Sequence, residues 1–282
     1  MNMNIAFSPC PNDTFVFHAL AHGLIPGAPA LDVTFADIDI TNTLAADHTG
    51  PEVLKISFAA LPWVLDKYEL IPCGGALGRG CGPLVLTKGE QDSKSLSGKR
   101  VAVPSERSTA YLLFRLWAAQ KVPGGVGEIV VMPFHEIMPA VQEGTIDAGL
   151  VIHEARFTYQ NYGLNVVADM GEWWEEDTGL PIPLGAIIAR RSEDTTQITK
   201  WIRSSVEYAF EHPEESKEYV MAHAQEMSED VANQHIELYV NEFSRDLGDD
   251  GYHAIDALLS RAADEGLVPS VDKDLLYSLK GK

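Results

Sequence analysis

The 282-residue chain is poor in cysteine, in basic side chains and in long apolar runs, and each shortage narrows what it can be. Its three cysteines, Cys10, Cys73 and Cys81, are an odd number without CxxC spacing. They read as reduced thiols of a cytosolic protein, with a Cys73–Cys81 bridge as the alternative for an oxidising compartment. Lysine and arginine together number 21 against 41 aspartates and glutamates, a formal net charge of −20. That balance argues against a nucleic-acid-binding surface, while leaving room for a small anion in a locally positive or N–H-rich pocket. No apolar stretch approaches the ~18–20 residues that span a bilayer, and residues 1–7 form neither a basic n-region nor a long apolar h-region. The expectation is a soluble cytoplasmic protein with no membrane insertion.

Chemical signatures are missing too. There is no GxGxxG or GxxxxGK[ST] phosphate loop, no HExxH, no paired CxxC, no dense aspartate ladder and no GxSxG elbow. Nucleotide-phosphate, metal and serine-hydrolase chemistry therefore have no positive support, and neither a cofactor nor a metal is expected. What remains is an ordinary globular composition, 45% hydrophobic and 22% charged, long enough for one large domain or two of usual size.

Strand-like and helix-like segments alternate through the first two-thirds. Residues 4–8 read as a strand, and Ser8-Pro9-Cys10-Pro11-Asn12-Asp13-Thr14-Phe15 follows as a stiff turn entering a helix over 14–22. Two prolines restrict this turn, and Asn12, Asp13 and Thr14 offer N-cap oxygens to the helix. Such a connection is either plain scaffold or a set of N–H groups facing a small anion at a sheet's carboxyl edge. Strands are expected over 31–38, 53–56, 84–87, 99–103, 129–132, 148–152, 165–167 and 184–189. Helices are expected over 41–46, 57–65, 108–120 and 135–143, and from 197 onward the pattern is almost wholly helical. The glycine-dense Gly78-Arg79-Gly80-Cys81-Gly82-Pro83 and the strand at 184–189 look like crossings between two domains. The boundaries expected are 1–86 with 189–282 for a larger α/β lobe, and 87–188 for a smaller inserted one.

Three constellations can carry chemistry. Ser57 ends Lys55-Ile56-Ser57 and either caps the next helix or presents its hydroxyl to a carboxylate. Ser108, Thr109 and Ala110 open a long apolar helix, whose first-turn N–H groups and dipole suit an anion; Arg107 beside them either assists or faces solvent. His153 follows the apolar strand Ala148-Gly149-Leu150-Val151-Ile152, where an imidazole is well placed for proton transfer or simply fills structure. The paired Trp173 and Trp174 either wall an aromatic pocket or pack.

Together these segments carry a specific resemblance. The run Ser8–Phe15, Lys55-Ile56-Ser57, Ser108-Thr109-Ala110-Tyr111 and Gly149–Tyr159 resemble the 1,4-dihydroxy-6-naphthoate synthase family of futalosine-pathway menaquinone biosynthesis. Trp173-Trp174-Glu175 and Gly179–Gly185 also fit, so the likeness reaches to about residue 190. The resemblance implies a two-lobed, type II periplasmic-binding-protein-like α/β fold with an interlobe cleft and a helical C-terminal segment. It implies a cofactor-free lyase acting on a small aromatic carboxylate, cyclic dehypoxanthinylfutalosine, by base-initiated C–C cleavage and aromatisation. It further implies His153 as the general base and a carboxylate held by Ser57, Thr109 and Ala110, with Ser108 alongside. Asn12, Asp13 and Thr14 would then orient the sugar-derived part or His153, and whether Cys10 takes part is left open. The alternatives are chorismate dehydratase of the same pathway and a non-catalytic binding protein for a small carboxylate.

Overall fold

All five residues of the strand Val53-Leu54-Lys55-Ile56-Ser57 are buried, which requires cover on both faces of its sheet. The computed structural model describes residues 2–89, 91–224 and 228–282 and provides that cover in two separate α/β units. The units are Met1–Gly78 with Pro183–Lys282, and Arg79–Ile182.

The first unit begins β1 (Met3–Phe7), α1 (Pro11–Ala21), β2 (Leu31–Phe35), α2 (Ile38–Ala46), β3 (Val53–Ser57), a 3-10 turn (Phe58–Trp63) and β4 (Tyr68–Gly78). The second holds β5 (Leu84–Thr87), β6 (Arg100–Val103), α3 (Thr109–Lys121), β7 (Glu128–Val131) and α4 (Phe134–Glu143). It continues with β8 (Ala148–Val151), α5 (Ala155–Thr158), β9 (Asn165–Asp169) and α6 (Met170–Thr178). The chain returns to the first unit in β10 (Ile182–Arg190) and ends in α7 (Thr195–Glu211), α8 (Lys217–His223), α9 (Glu229–Tyr239), α10 (Glu242–Arg245), α11 (Gly248–Asp264) and α12 (Lys273–Leu276).

The first sheet has the order β2-β1-β3-β10-β4, with β1 parallel to β2 and β3 and β10 antiparallel to β3. The two-residue period of its strands builds two cores. Ile5, Phe7, Val53, Ile187 and Ala189 join Phe17 and Leu20 of α1 and Ile198, Ile202 and Val206 of α7. Ala6, Leu54, Ile56, Ala186 and Ile188 join Phe58 and Leu61 of the 3-10 turn and Tyr252, Ile255 and Leu259 of α11.

The second sheet has the order β7-β6-β8-β5-β9, with β6 parallel to β7 and β8 and β5 antiparallel to β8 and β9. Leu84, Leu86, Ala102 and Val151 pack on Ile137 and Val141 of α4. Near the start of β5, Gly82 has to be glycine, since a Cβ there would lie 1.9 Å from the Gly171 nitrogen.

These pairings move the expected boundaries. Leu84–Thr87 is hydrogen-bonded between β8 and β9, so the second unit begins at Arg79 and not at 87. β10 is hydrogen-bonded to β3, so the first unit resumes at Pro183 and not at 189. The Pro9–Thr14 segment also differs from expectation. Pro11 stands in the first turn of α1, where its missing N–H costs nothing, and Cys10 is the N-cap without a side-chain cap bond. Asn12, Asp13 and Thr14 therefore lie inside the helix rather than capping it. Among the described residues no helix is long and apolar enough to cross a membrane. Cys73 and Cys81 are buried free thiols and not a disulfide, both pushed up to about 12 by burial.

Candidate functional site

Parallel strands place their carboxyl ends along one edge of a sheet, which is where open α/β sheets hold ligands. In the first unit β1 and β3 bring Ser8 and Ser57 to that edge. Ser57 stands at the N-cap position of the 3-10 turn, but its side chain makes no cap bond there. Its backbone N–H donates to Asn42 Oδ1 at 2.7 Å, and its Oγ accepts from Asn42 Nδ2 at 3.0 Å. Both residues are buried.

Lys55 is the single charged residue of β3, and its side chain enters the apolar core on the α1 side. Its Nζ donates to Asp13 Oδ1 at 2.7 Å, both side chains being 4% exposed, and also to the Gly74 carbonyl at 3.4 Å. Asp13 accepts in addition from the Ser8 hydroxyl at 2.9 Å and from Asn12 Nδ2 at 2.8 Å. A carboxylate only accepts, so this contact fixes the Asn12 amide with Oδ1 turned toward His235 Nε2, 3.0 Å away. Nε2 of the fully buried His235 therefore carries a hydrogen. Thr14 is buried as well, its hydroxyl donating to the Cys10 and Pro11 carbonyls at 3.1 and 3.3 Å. The expected substrate-orienting roles of Asn12, Asp13 and Thr14 thus meet side chains already engaged within the unit. They act on the edge by holding the Ser8–Pro11 turn, whose Cys10 N–H donates to the Ser8 oxygen at 3.3 Å.

In the second unit the neighbouring parallel strands β6 and β8 lead to the Pro104–Ser108 turn and to His153 at one edge. Ser108 is the N-cap of α3: its Oγ accepts from the Tyr111 N–H at 3.1 Å and donates to the Ser105 carbonyl at 2.9 Å. That hydroxyl is engaged in the cap on both its donor and one acceptor side. Thr109 and Ala110 form the first turn, where N–H groups have no carbonyl of their own helix to bond and the dipole is positive. Arg107 is exposed.

His153 has φ +53°, the left-handed region that β-carbon-bearing residues avoid. Its ring, half-buried, stands edge-on to Phe134 of α4 at 5.6 Å between centroids. Its carbonyl accepts from the Arg156 N–H at 3.3 Å. The Arg156 guanidinium in turn donates to the Gly82 carbonyl at 2.8 Å and pairs with Asp169 at 2.6 Å. A strained residue fixed by this much surrounding structure is a frequent mark of a working site. Trp174, fully buried, donates to the Pro181 carbonyl at 3.0 Å, and Trp173 donates to Gln120 at 3.3 Å. Both pack α6 into the second unit.

Sequence reasoning missed Asn42, the Lys55–Asp13 pair and the Phe134 contact. Only the pair left a signal, a lone lysine within an otherwise apolar strand. Among the described residues no group of three or more His, Cys, Asp or Glu side chains converges on a metal position.

Two α/β units, each with an antiparallel strand inserted in a mainly parallel sheet, define a periplasmic-binding-protein-like fold. The alkanesulfonate-binding protein SsuA of Xanthomonas axonopodis shares it with TM-score 0.70 at 13% identity, over 95% of this chain and 94% of that one, a likeness of fold alone. The crystal structure of protein AF1704 from Archaeoglobus fulgidus superposes with TM-score 0.87 at 34% identity, over 95% and 98% of the two chains. The chain belongs to the menaquinone-biosynthesis family, whose model matches residues 3–264. The 1,4-dihydroxy-6-naphtoate synthase of Streptomyces coelicolor is 69% identical over 277 residues, 97% of each chain.

Proposed function

We propose that this protein is a 1,4-dihydroxy-6-naphthoate synthase, a cytoplasmic carbon–carbon lyase acting on cyclic dehypoxanthinylfutalosine. The observation that carries this reading is the 69% identity to the Streptomyces enzyme over nearly the whole of both chains. In the first unit the Ser57 hydroxyl, and in the second the N–H groups of Thr109 and Ala110, are the donors suited to the substrate carboxylate. His153 is the general base. It removes a proton from the sugar-derived ring, the electron pair drives cleavage of the C–C bond at the spiro centre, and loss of that fragment lets the remaining ring aromatise. The step is redox neutral, and aromatisation makes it downhill. The left-handed backbone of His153 supports its part, since strain held at one imidazole fixes where the ring can point.

Incubation with cyclic dehypoxanthinylfutalosine, and with chorismate as control, tests the reading by absorbance and mass. A naphthalene chromophore from the first substrate only is expected. Unchanged first substrate, or turnover of chorismate, overturns it. His153→Asn, a residue that tolerates the left-handed region, is expected to fold and bind but to turn over about 10²–10⁴-fold more slowly. Near wild-type turnover by that variant removes the base assignment.

A further inference from the structure

The Asn42–Ser57 contact has a polarity that geometry fixes. The Ser57 backbone N–H can only donate, so the amide oxygen of Asn42 must be the atom 2.7 Å from it. The amide nitrogen then faces Ser57 Oγ at 3.0 Å, and that oxygen is the acceptor. A hydroxyl carries one hydrogen, and with Asn42 on a lone pair that hydrogen is directed away from Asn42. Asn42 is fully buried in α2, and Ser57 is 3% exposed at the carboxyl end of β3. The elements packed most closely on α2 are β1, β3 and the 3-10 turn. Lys55 is the only ionisable side chain on those three, and Asp13 neutralises it.

We infer that Asn42 is a positioning residue that keeps the Ser57 hydroxyl a donor toward ligand, so that this end of β3 selects an acceptor such as a carboxylate. The inference rests on the carboxylate role proposed for Ser57 and adds the group that enforces it. Without the clamp a serine hydroxyl turns to suit either a donor or an acceptor. With it, one lone pair is taken before ligand arrives and the hydrogen points away from Asn42, so a charge-assisted bond to an anion follows without reorientation.

Asn42→Asp tests this by reversing the polarity at constant shape. An aspartate at 42 still accepts the Ser57 N–H with one oxygen, but its other oxygen accepts the Ser57 hydroxyl hydrogen and turns it from the ligand. The probes are 2-naphthoate and 2-naphthamide, with binding measured by calorimetry on the full chain. Wild type is expected to prefer the carboxylate, and Asn42→Asp to bind 2-naphthoate about 10- to 100-fold more weakly, the range for a hydrogen bond to a charged group. In a Ser57→Ala background the same change is expected to cost only a few-fold, from charge repulsion. With the turnover substrate the larger factor is expected in KM and not in kcat.

Equal losses in the two backgrounds overturn the inference while leaving the carboxylate reading intact. A wild type that binds the amide as well as the carboxylate removes that reading, and this inference with it. If Asn42→Asp fails to fold, a neutron structure of the wild type decides. Deuterium on Ser57 Oγ pointing away from Asn42 supports the inference, and deuterium pointing toward Asn42 overturns it.

Discussion

The carboxyl edges of the two sheets are made rigid by different means. In the first unit the polar side chains are bonded to one another: Ser8, Asn12 and Lys55 on Asp13, His235 on Asn12, and Asn42 on Ser57. In the second, the backbone carries the burden, through the N-terminus of α3 and the left-handed His153. A side-chain network fixes position by many weak bonds in a low dielectric and tolerates no missing member. A backbone constraint fixes direction at a single residue, here through the left-handed φ of His153.

The largest expected effect separates strain from chemistry at the second edge. His153→Gly is expected to lose turnover about 10²–10⁴-fold, as His153→Asn does. In thermal unfolding it is expected to be more stable than His153→Ala by about 1 kcal/mol, because glycine occupies φ +53° without steric cost. An alanine variant at least as stable as the glycine variant breaks the claim that the backbone is strained there.

Next comes the first edge. Asp13→Asn leaves the Lys55 ammonium buried against a neutral amide, and urea unfolding is expected to show a loss of about 3–5 kcal/mol. Replacing both partners by apolar residues, Asp13→Leu with Lys55→Met, is expected to recover only part of that stability, because Ser8 and Asn12 lose their acceptor. A single variant with unchanged unfolding midpoint shows that the network is not coupled as described.

The smallest effect lies further along α1. Burial, and then the neighbouring His22, hold the His18 imidazole below its ordinary value of 6.5. The unfolded chain therefore binds a proton first as pH falls. Stability from this group is complete above 6.5 and declines below it, toward the lower folded value. Comparing melting temperatures at about pH 7.5 and about pH 5.5, His18→Asn should shrink the acid-side drop. An identical drop in wild type and variant assigns the acid sensitivity elsewhere.

How legible these edges were in the sequence follows from what is local. The strand ending at Val151 and the histidine two residues beyond it are neighbours in the chain, and the 3.6-residue pattern from Thr109 marked α3 with Ser108 at its start. The left-handed turn at His153 was not legible, because glycine is the usual sign of it and no glycine stands there. Pro11 misled for a similar reason: a proline reads as a breaker, yet in the first turn it begins a helix, and Asn12–Thr14 were set one turn too early in their roles. Asp13 and Lys55 are 42 residues apart, and Asn42 and Ser57 are 15 apart. No local period reports such meetings. The shifted domain boundaries have the same origin, since lateral pairing of β5 with β8 and β9 is decided by the sheet and not by the glycines before it.

The path taken by Lys55 binds two distant choices of residue into one. A Cβ at Gly185 would sit 2.6 Å from Lys55 Cε, so the bare backbone of β10 gives the lysine room on its way to Asp13. A side chain at position 185 would press on the lysine stem and displace it from that path. The choice of residue at 185 therefore bears on the charge pair formed by positions 55 and 13.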